Sequence, residues 1–289
     1  VELKLLRSMW GAPEDPAALV GHVVGMGMDG VEGPPPPTPA ARADLRRRLD
    51  DAGLVFVAEA CTGRPRGDEP AAERWWMADP GAPPERHLDD LRRVVDGALE
   101  MNALLVSGLT GFDAWPLQRS IDFLGELSAL DAGIPATAET HRGRSLFNPW
   151  VTDTVLAALP GLELTCDFSH WCVVAERLID SELPSIERAA ARCRHLHGRV
   201  GWAQSAQVGD PRDPVHADAL AAHERWWDLC WSAQEARGFS TSTMTLEFGP
   251  DGYTPLLPFT RQPVSDLNDV IRWMADRQRG RFAARGSTP

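Results

Sequence analysis

Short apolar runs alternate with longer amphipathic stretches along the whole chain. The runs are LKLLRSMW (3–10), DGVEG (29–33), LVFVAEAC (54–61), ALLVSGLT (103–110), PATAETH (135–141), LELTCDFS (162–169), RHLHGRV (194–200) and TMTLEFG (243–249). Each precedes a stretch with helical spacing, such as PAARADLRRRLDDAG, whose closing Gly53 is a good helix stop. Strands alternating with helices predict a parallel sheet. Eight units in a row predict a closed (β/α)8 TIM barrel, with an open doubly wound sheet as the alternative. No break marks a second domain, so residues 1–289 read as one domain with a frayed tail over 280–289. Two connections are oversized, 61–86 with RWWM and 200–215 with GWAQSAQVGDPRDP. Long loops with bulky aromatics after barrel strands are candidate substrate lids.

Composition narrows the partners. A net charge of −12 opposes general binding to nucleic acid or to an anionic membrane surface, both of which need clustered Lys and Arg. The five cysteines are odd in number and lack C-x-x-C spacing, which suits reduced thiols in a cytoplasmic protein. The N-terminal stretch has no signal-peptide pattern, and no run approaches the 18 or so apolar residues of a membrane span. GMGMDG (25–30) matches a dinucleotide-binding spacing but follows a helix and leads into a strand, the wrong context, so it reads as a tight turn.

The chemistry lies in the faces of the last four strands, since successive side chains alternate. Thr137, Glu139 and His141 share one face of the fifth strand, and Thr165 and Asp167 one face of the sixth. His195, His197 and Arg199 share a face of the seventh, and Thr243, Thr245 and Glu247 a face of the eighth. The opposite faces are mostly apolar and should pack on helices. The polar faces should then point into the barrel and bring Glu139, Asp167, His197 and Glu247 together at its C-terminal mouth. Taken singly, Glu139 could pair with Arg142 or Arg144, and Asp167 could cap a helix. Together, three carboxylates in a dry site cannot all stay ionised without a cation. One divalent metal ion resolves this. Such an oxygen-rich set suits Mn2+ foremost, with Mg2+, Co2+ or Zn2+ as alternatives.

The segments AETHRGR, CDFSHW, HLHGRVG and LEFGP resemble the sugar phosphate isomerase/epimerase family of the xylose isomerase-like TIM barrel superfamily. The resemblance is strongest over 135–260, and the eight-unit layout extends it to nearly the whole chain. It implies one metal ligand from each of the last four strands, on Glu139, Asp167, His197 and Glu247, with Glu139 and Glu247 also moving protons. It implies that His170, three residues after the Asp, contacts substrate oxygens. Two family positions differ: an Arg six residues after the ligand His is Ala203 here, and a Glu six residues after the first ligand is Ser145. Arg199 could replace the missing cation. The endonuclease branch would need further His and acidic ligands and a basic face, which the sequence lacks.

Other residues have two readings. His141 is a substrate contact or an internal hydrogen-bonding group, and His195 a satisfied core histidine. Trp10 ends the first strand as an aromatic wall for a sugar face. Glu59 ends the third and could bind a hydroxyl, or pair with Arg64 or Arg66. Trp75–Trp76 could form a lid, while Trp226–Trp227 are core packing or a dimer surface. The expected activity is a divalent-metal-dependent isomerase or epimerase of a sugar or related hydroxy-carbonyl compound, working through a metal-stabilised enediolate. The alternatives are a metal-dependent dehydratase or lyase on a keto-sugar or keto-glycoside, and a non-catalytic sugar-binding subunit. The expected partner is a small carbohydrate-like molecule, with a homodimer allowed.

Overall fold

The computed structural model describes residues 1–65, 76–130, 132–250 and 252–285. Its strands are β1 (Glu2–Ser8), β2 (Gly30–Gly33), β3 (Val55–Cys61), β4 (Val106–Leu109), β5 (Ala136–Glu139), β6 (Leu164–Cys166), β7 (Cys193–His197) and β8 (Thr241–Leu246). They pair in sequence order, and β1 pairs with β8 in parallel to close the barrel. The open-sheet alternative is therefore excluded.

Helices α1 (Pro16–Gly25), α2 (Pro39–Asp51), α3 (Pro84–Glu100), α4 (Leu117–Ser128), α5 (Pro149–Ala158), α6 (Ser169–Val174), α7 (Leu183–Ala190), α8 (Ala217–Ala236) and α9 (Leu267–Arg285) surround it. Three of them start alike, with a capping side chain followed by proline. Asp15, Thr38 and Asn148 accept hydrogen bonds from the amides of Ala18, Ala41 and Val151. The proline that follows each cap gives up an amide the helix cannot use there and presets its φ.

Alternation separates two interiors. Met244 and Leu246 of β8 enter the layer between sheet and helices, where Trp171, Trp226, Trp227 and Trp231 are fully buried. Trp226 and Trp227 are thus core packing and not a dimer surface. Inside the barrel, Leu6, Val57 and Leu105 form a small apolar plug. One step toward the C-terminal strand ends the lining turns polar. Ser107 Oγ donates to Thr165 Oγ1 at 3.0 Å, Thr165 and Thr137 hydroxyls meet at 2.7 Å, and His195 Nδ1 meets Thr243 Oγ1 at 2.7 Å. These hydroxyls satisfy one another and leave the carboxylates above them on a rigid floor.

Two expectations need correction. The tail is helical to Arg285, because Arg281 and Arg285 bond to Asp228 and Phe282 packs edge-on against Trp231 at 5.1 Å. The sixth strand ends at Cys166 rather than at Ser169, and the chain turns at once into the short helix α6. Residues 25–30 form a helix-to-strand turn with Gly27 at φ 67°, as read from the sequence. Among the described residues no helix is long and apolar enough to cross a membrane, and the cysteines are free thiols.

His223 on α8 braces the mouth. Its Nε2 accepts from the Gly201 amide at 3.2 Å, so Nδ1 donates to Ala219 O at 2.9 Å, and both nitrogens of the neutral ring are used. Burial lowers its pKa from 6.5 to about 4. The unfolded chain therefore binds this proton in a window where the folded chain does not. Stability should fall as pH drops from 6.5 toward 4, by about 1.4 kcal/mol per pH unit. Urea unfolding at pH 7 and pH 5 should show His223→Gln losing about 2 kcal/mol less than the parent between the two pH values. Parallel losses would remove His223 from the account.

Candidate metal centre

Four acidic or imidazole side chains meet where β5 to β8 end. Glu139 is the last residue of β5 and His197 the last of β7, while Asp167 and Glu247 directly follow β6 and β8. One ligand atom from each lies within 4.8 Å of the others, and all four residues are buried. His197 Nδ1 is 3.1 Å from Glu247 Oε2, 3.4 Å from Glu139 Oε1 and 3.8 Å from Asp167 Oδ2. Both Glu139 oxygens, His197 Nδ1 and Glu247 Oε2 are buried without a properly directed hydrogen bond. Buried polar atoms are rarely left so, and a cluster of them aimed at one point is the arrangement a cation satisfies. The donor set of three carboxylates and one imidazole could hold a metal ion.

The far side of the imidazole is also held. His197 Nε2 lies 3.1 Å from Glu32 Oε2, and His195 Nε2 contacts the same oxygen at 3.1 Å. Glu32 therefore fixes the His197 ring with Nδ1 toward the cluster, as a carboxylate behind a metal-binding histidine does. In the sequence Glu32 ends the second strand with no pattern that assigns it a role. The available signal was its inward face, in register with Ser8 and Val57.

The field at the site follows from burial and neighbours. Burial raises Glu139 to about 7, against the lowering effect of His197. Burial also raises Asp167, with Arg199 opposing. For Glu247 burial raises, but Arg199 and His197 outweigh it and the net shift is down. Glu59, buried beside Glu247, Glu32 and Glu139, is held well above the usual carboxylate range by burial and by their charges. Burial opposes charge on His197, yet Glu32, Glu247 and Glu139 push it well up.

Arg199 is the buried cation of the cluster. Its Nη2 is 2.5 Å from Asp167 Oδ2 and 2.5 Å from His170 Nε2, Nε donates to Ser169 Oγ at 3.1 Å, and Nη1 lies 3.1 Å from Glu247 Oε2. Ser169 closes the other side of Asp167 through its amide at 2.9 Å. His170 thus sits on α6, and its ring lies against His141 with centroids 3.7 Å apart. Burial and the neighbouring Arg199 hold both histidines well below their usual range, so both are neutral.

A narrow cleft opens above, lined by Trp10, Glu59, Trp76, Leu109, His141, Arg199, Glu247 and Tyr253. It thereby joins Trp10, Glu59, His141 and Arg199 to the cluster, while His170 stands behind Arg199. Trp10 and Tyr253 meet edge-to-face at 5.0 Å, and Trp76 closes the group at about 6 Å from each. Two buried arginines moor these aromatics through backbone carbonyls. Arg7 bonds to Ser8, Trp10 and Gly11, and Arg144 to Thr62, Gly111 and Trp76. Arg144 is therefore not an ion-pair partner of Glu139, and the hydrogen bond to Glu59 comes from Cys61 Sγ at 3.9 Å rather than from Arg64. The Trp10 ring packs against Gly249, where an added Cβ would come within 2.0 Å of it. Trp75 and Arg66 lie outside the described residues. Tyr253, in the loop after β8, carried no sequence signal beyond being the one tyrosine of the chain.

Fold and cluster together define the class: a (β/α)8 barrel with a buried His/carboxylate group at its C-terminal mouth. The chain belongs to the xylose isomerase-like TIM barrel family, whose sequence model matches residues 20–206. Solved structures share the fold at low identity. D-psicose 3-epimerase from Clostridium cellulolyticum, with D-tagatose, is 13% identical over 96% of this chain and 98% of that one, with a TM-score of 0.58. A 3-keto-D-glucoside 4-epimerase from E. coli is 13% identical over 95% and 100%, with a TM-score of 0.60. A probable 3-DHS dehydratase from Bacillus anthracis is 13% identical over 94% and 97%, with a TM-score of 0.56. No curated protein sequence matches the chain at a significant level.

Arg199 is the testable element of this geometry. With divalent ions chelated, Arg199→Met should cost about 3–5 kcal/mol by leaving buried carboxylates uncompensated. Adding Asp167→Asn should restore part of that loss in denaturant unfolding. A double variant no more stable than Arg199→Met alone would show that the pair is not coupled.

Proposed function

We propose that the chain is a divalent-metal-dependent isomerase or epimerase acting on a sugar or related hydroxy-carbonyl compound. The observation that carries this is the convergence on one buried point of Asp167 and of ligand atoms from Glu139, His197 and Glu247 that have no properly directed hydrogen bond. In this reading Glu139, Asp167, His197 and Glu247 hold the ion, with Mn2+ the first choice. A bound divalent ion supplies Lewis acidity that makes the C–H beside a carbonyl easier to ionise.

The protein's own groups do the rest. Glu139 and Glu247 approach the cluster from β5 and β8, across the mouth from each other. One takes up the proton beside the carbonyl, the other, protonated beforehand, delivers a proton to the enediolate on another face or carbon, and exchange with solvent resets the pair. Arg199 and His141, both at the cleft, bind substrate oxygens, and His170 positions Arg199 or reaches the same oxygens. Trp10, packed against Gly249, offers a flat apolar wall for a sugar face. Glu59, which burial keeps protonated, can donate to a hydroxyl or carbonyl oxygen. Ser145, at the position where ketose 3-epimerases carry Glu, faces Ser120 Oγ at 3.2 Å instead of the cleft.

A dehydratase or lyase reading shares the enolisation and is favoured by one observation, the likeness of fold to a probable dehydratase. The two differ in whether a β-substituent leaves.

Three measurements test the proposal. The purified protein, equilibrated with Mn2+ and desalted, should retain close to one divalent ion per chain, and Glu247→Gln substantially less. Glu32→Gln should weaken metal affinity about 10–100-fold by freeing the His197 ring. In D2O, NMR should show deuterium entering the carbon beside the carbonyl of a ketose or keto-glycoside, and Glu139→Gln should abolish it. A wild-type chain that binds no divalent ion would sink the proposal. Exchange accompanied by loss of a β-substituent would decide for the lyase.

A further inference from the structure

The loop after β8 carries an ordered hairpin that the rest of the chain leaves uncovered. Residues 255–264, PLLPFTRQPV, are all exposed. Leu256, Leu257 and Val264 expose 44%, 45% and 45%, and Phe259 exposes 100%. The segment is nevertheless built. The Leu257 amide donates to Gln262 O at 2.8 Å, Arg261 to Leu257 O at 3.0 Å, and Val264 to Pro255 O at 3.0 Å. Pro255, Pro258 and Pro263 stiffen it, and Ser265 Oγ ties its base to Gly209 O at 2.6 Å.

Phe259 and Arg261 stand at φ 63° and 60°, a region costly for side chains of this size. A two-stranded hairpin gains too little from its own contacts to offset such costs in water. Contiguous apolar exposure of this kind marks a contact surface.

We propose that this hairpin joins two copies of the chain through an isologous interface, Phe259 of each copy packing on Leu256, Leu257 and Val264 of the other. Charge selects a second copy as the occupant. The hairpin carries Arg261 and no acidic residue, whereas the chain as a whole has a net charge of −12. Among the described residues Arg261 has no ion pair. Near the hairpin base, Asp210 pairs with Arg212 and Asp269 with Arg272, while the exposed Asp266, whose Oδ1 accepts from the Asp269 amide at 3.0 Å at the start of α9, has no ion pair among the described residues. Arg261 and Asp266 thus each carry a charge without an ion pair, and a two-fold axis sets Arg261 of each copy against Asp266 of the other. An acidic chain is repelled by nucleic acid and by anionic lipid, so neither suits the same tip.

Sedimentation equilibrium of the full chain at micromolar concentration tests this. The parent should be a dimer. Phe259→Asp and Leu257→Asp should each raise the dimer Kd at least 100-fold while leaving the far-UV circular dichroism of the chain unchanged. Val24→Asp, at an equally exposed apolar position on α1 (53% exposed), should leave the dimer intact. A parent that stays monomeric overturns the proposal. So does a dimer that both hairpin variants leave unaltered, or a monomer that co-sediments with phosphatidylserine vesicles through Phe259.

Discussion

Everything at the mouth of this barrel depends on how buried negative charge is compensated. Glu32, Glu59, Glu139, Asp167 and Glu247 lie close together with almost no access to water. An isolated carboxylate in such a place would take up a proton, and only opposite charge or directed hydrogen bonds keep several ionised. The chain answers three of them with cations and directed bonds. His195 and His197 hold Glu32, Arg199 and Ser169 hold Asp167, and Arg199 with His197 holds Glu247. Glu139 has only His197, and burial raises it to about 7; Glu59, with Cys61 Sγ alone beside it, is held well above the usual carboxylate range.

The scaffold makes this arrangement affordable. The apolar plug of Leu6, Val57 and Leu105 and the hydroxyl belt above it give the carboxylates a floor that cannot relax toward water. Around the rim, buried arginines act on backbone rather than on acids. Arg7 and Arg144 spend their donors on loop carbonyls and so set where Trp10 and Trp76 stand. The cleft is therefore shaped by the same kind of residue that elsewhere neutralises it, and position in the fold decides which task each arginine performs.

Much of this was legible in the chain. Period-two alternation identified the inward faces of β5 to β8, and alternation survives folding because a strand has no other way to place its side chains. The convergence of Glu139, Asp167, His197 and Glu247 followed from that alternation and from strand order. Element ends were less legible. The sixth strand was read three residues too far at its end, because an apolar Phe168 beside Asp167 looks the same in a strand and in the turn into α6. The tail was read as frayed because chain ends usually are; its arginines bond to Asp228, more than fifty residues away.

What the sequence determined by itself was therefore periodic and local: the eight units, the inward set of polar residues, and a charge balance that disfavours nucleic acid. What only tertiary structure decided was pairing across the barrel. Glu32 meets His195 and His197 over more than 160 residues of chain, Tyr253 closes on Trp10, and Arg144 turns from Glu139 to the carbonyls of three loops. Such contacts leave no periodic trace, because they depend on where strand ends fall around a closed sheet and on which loop folds over which.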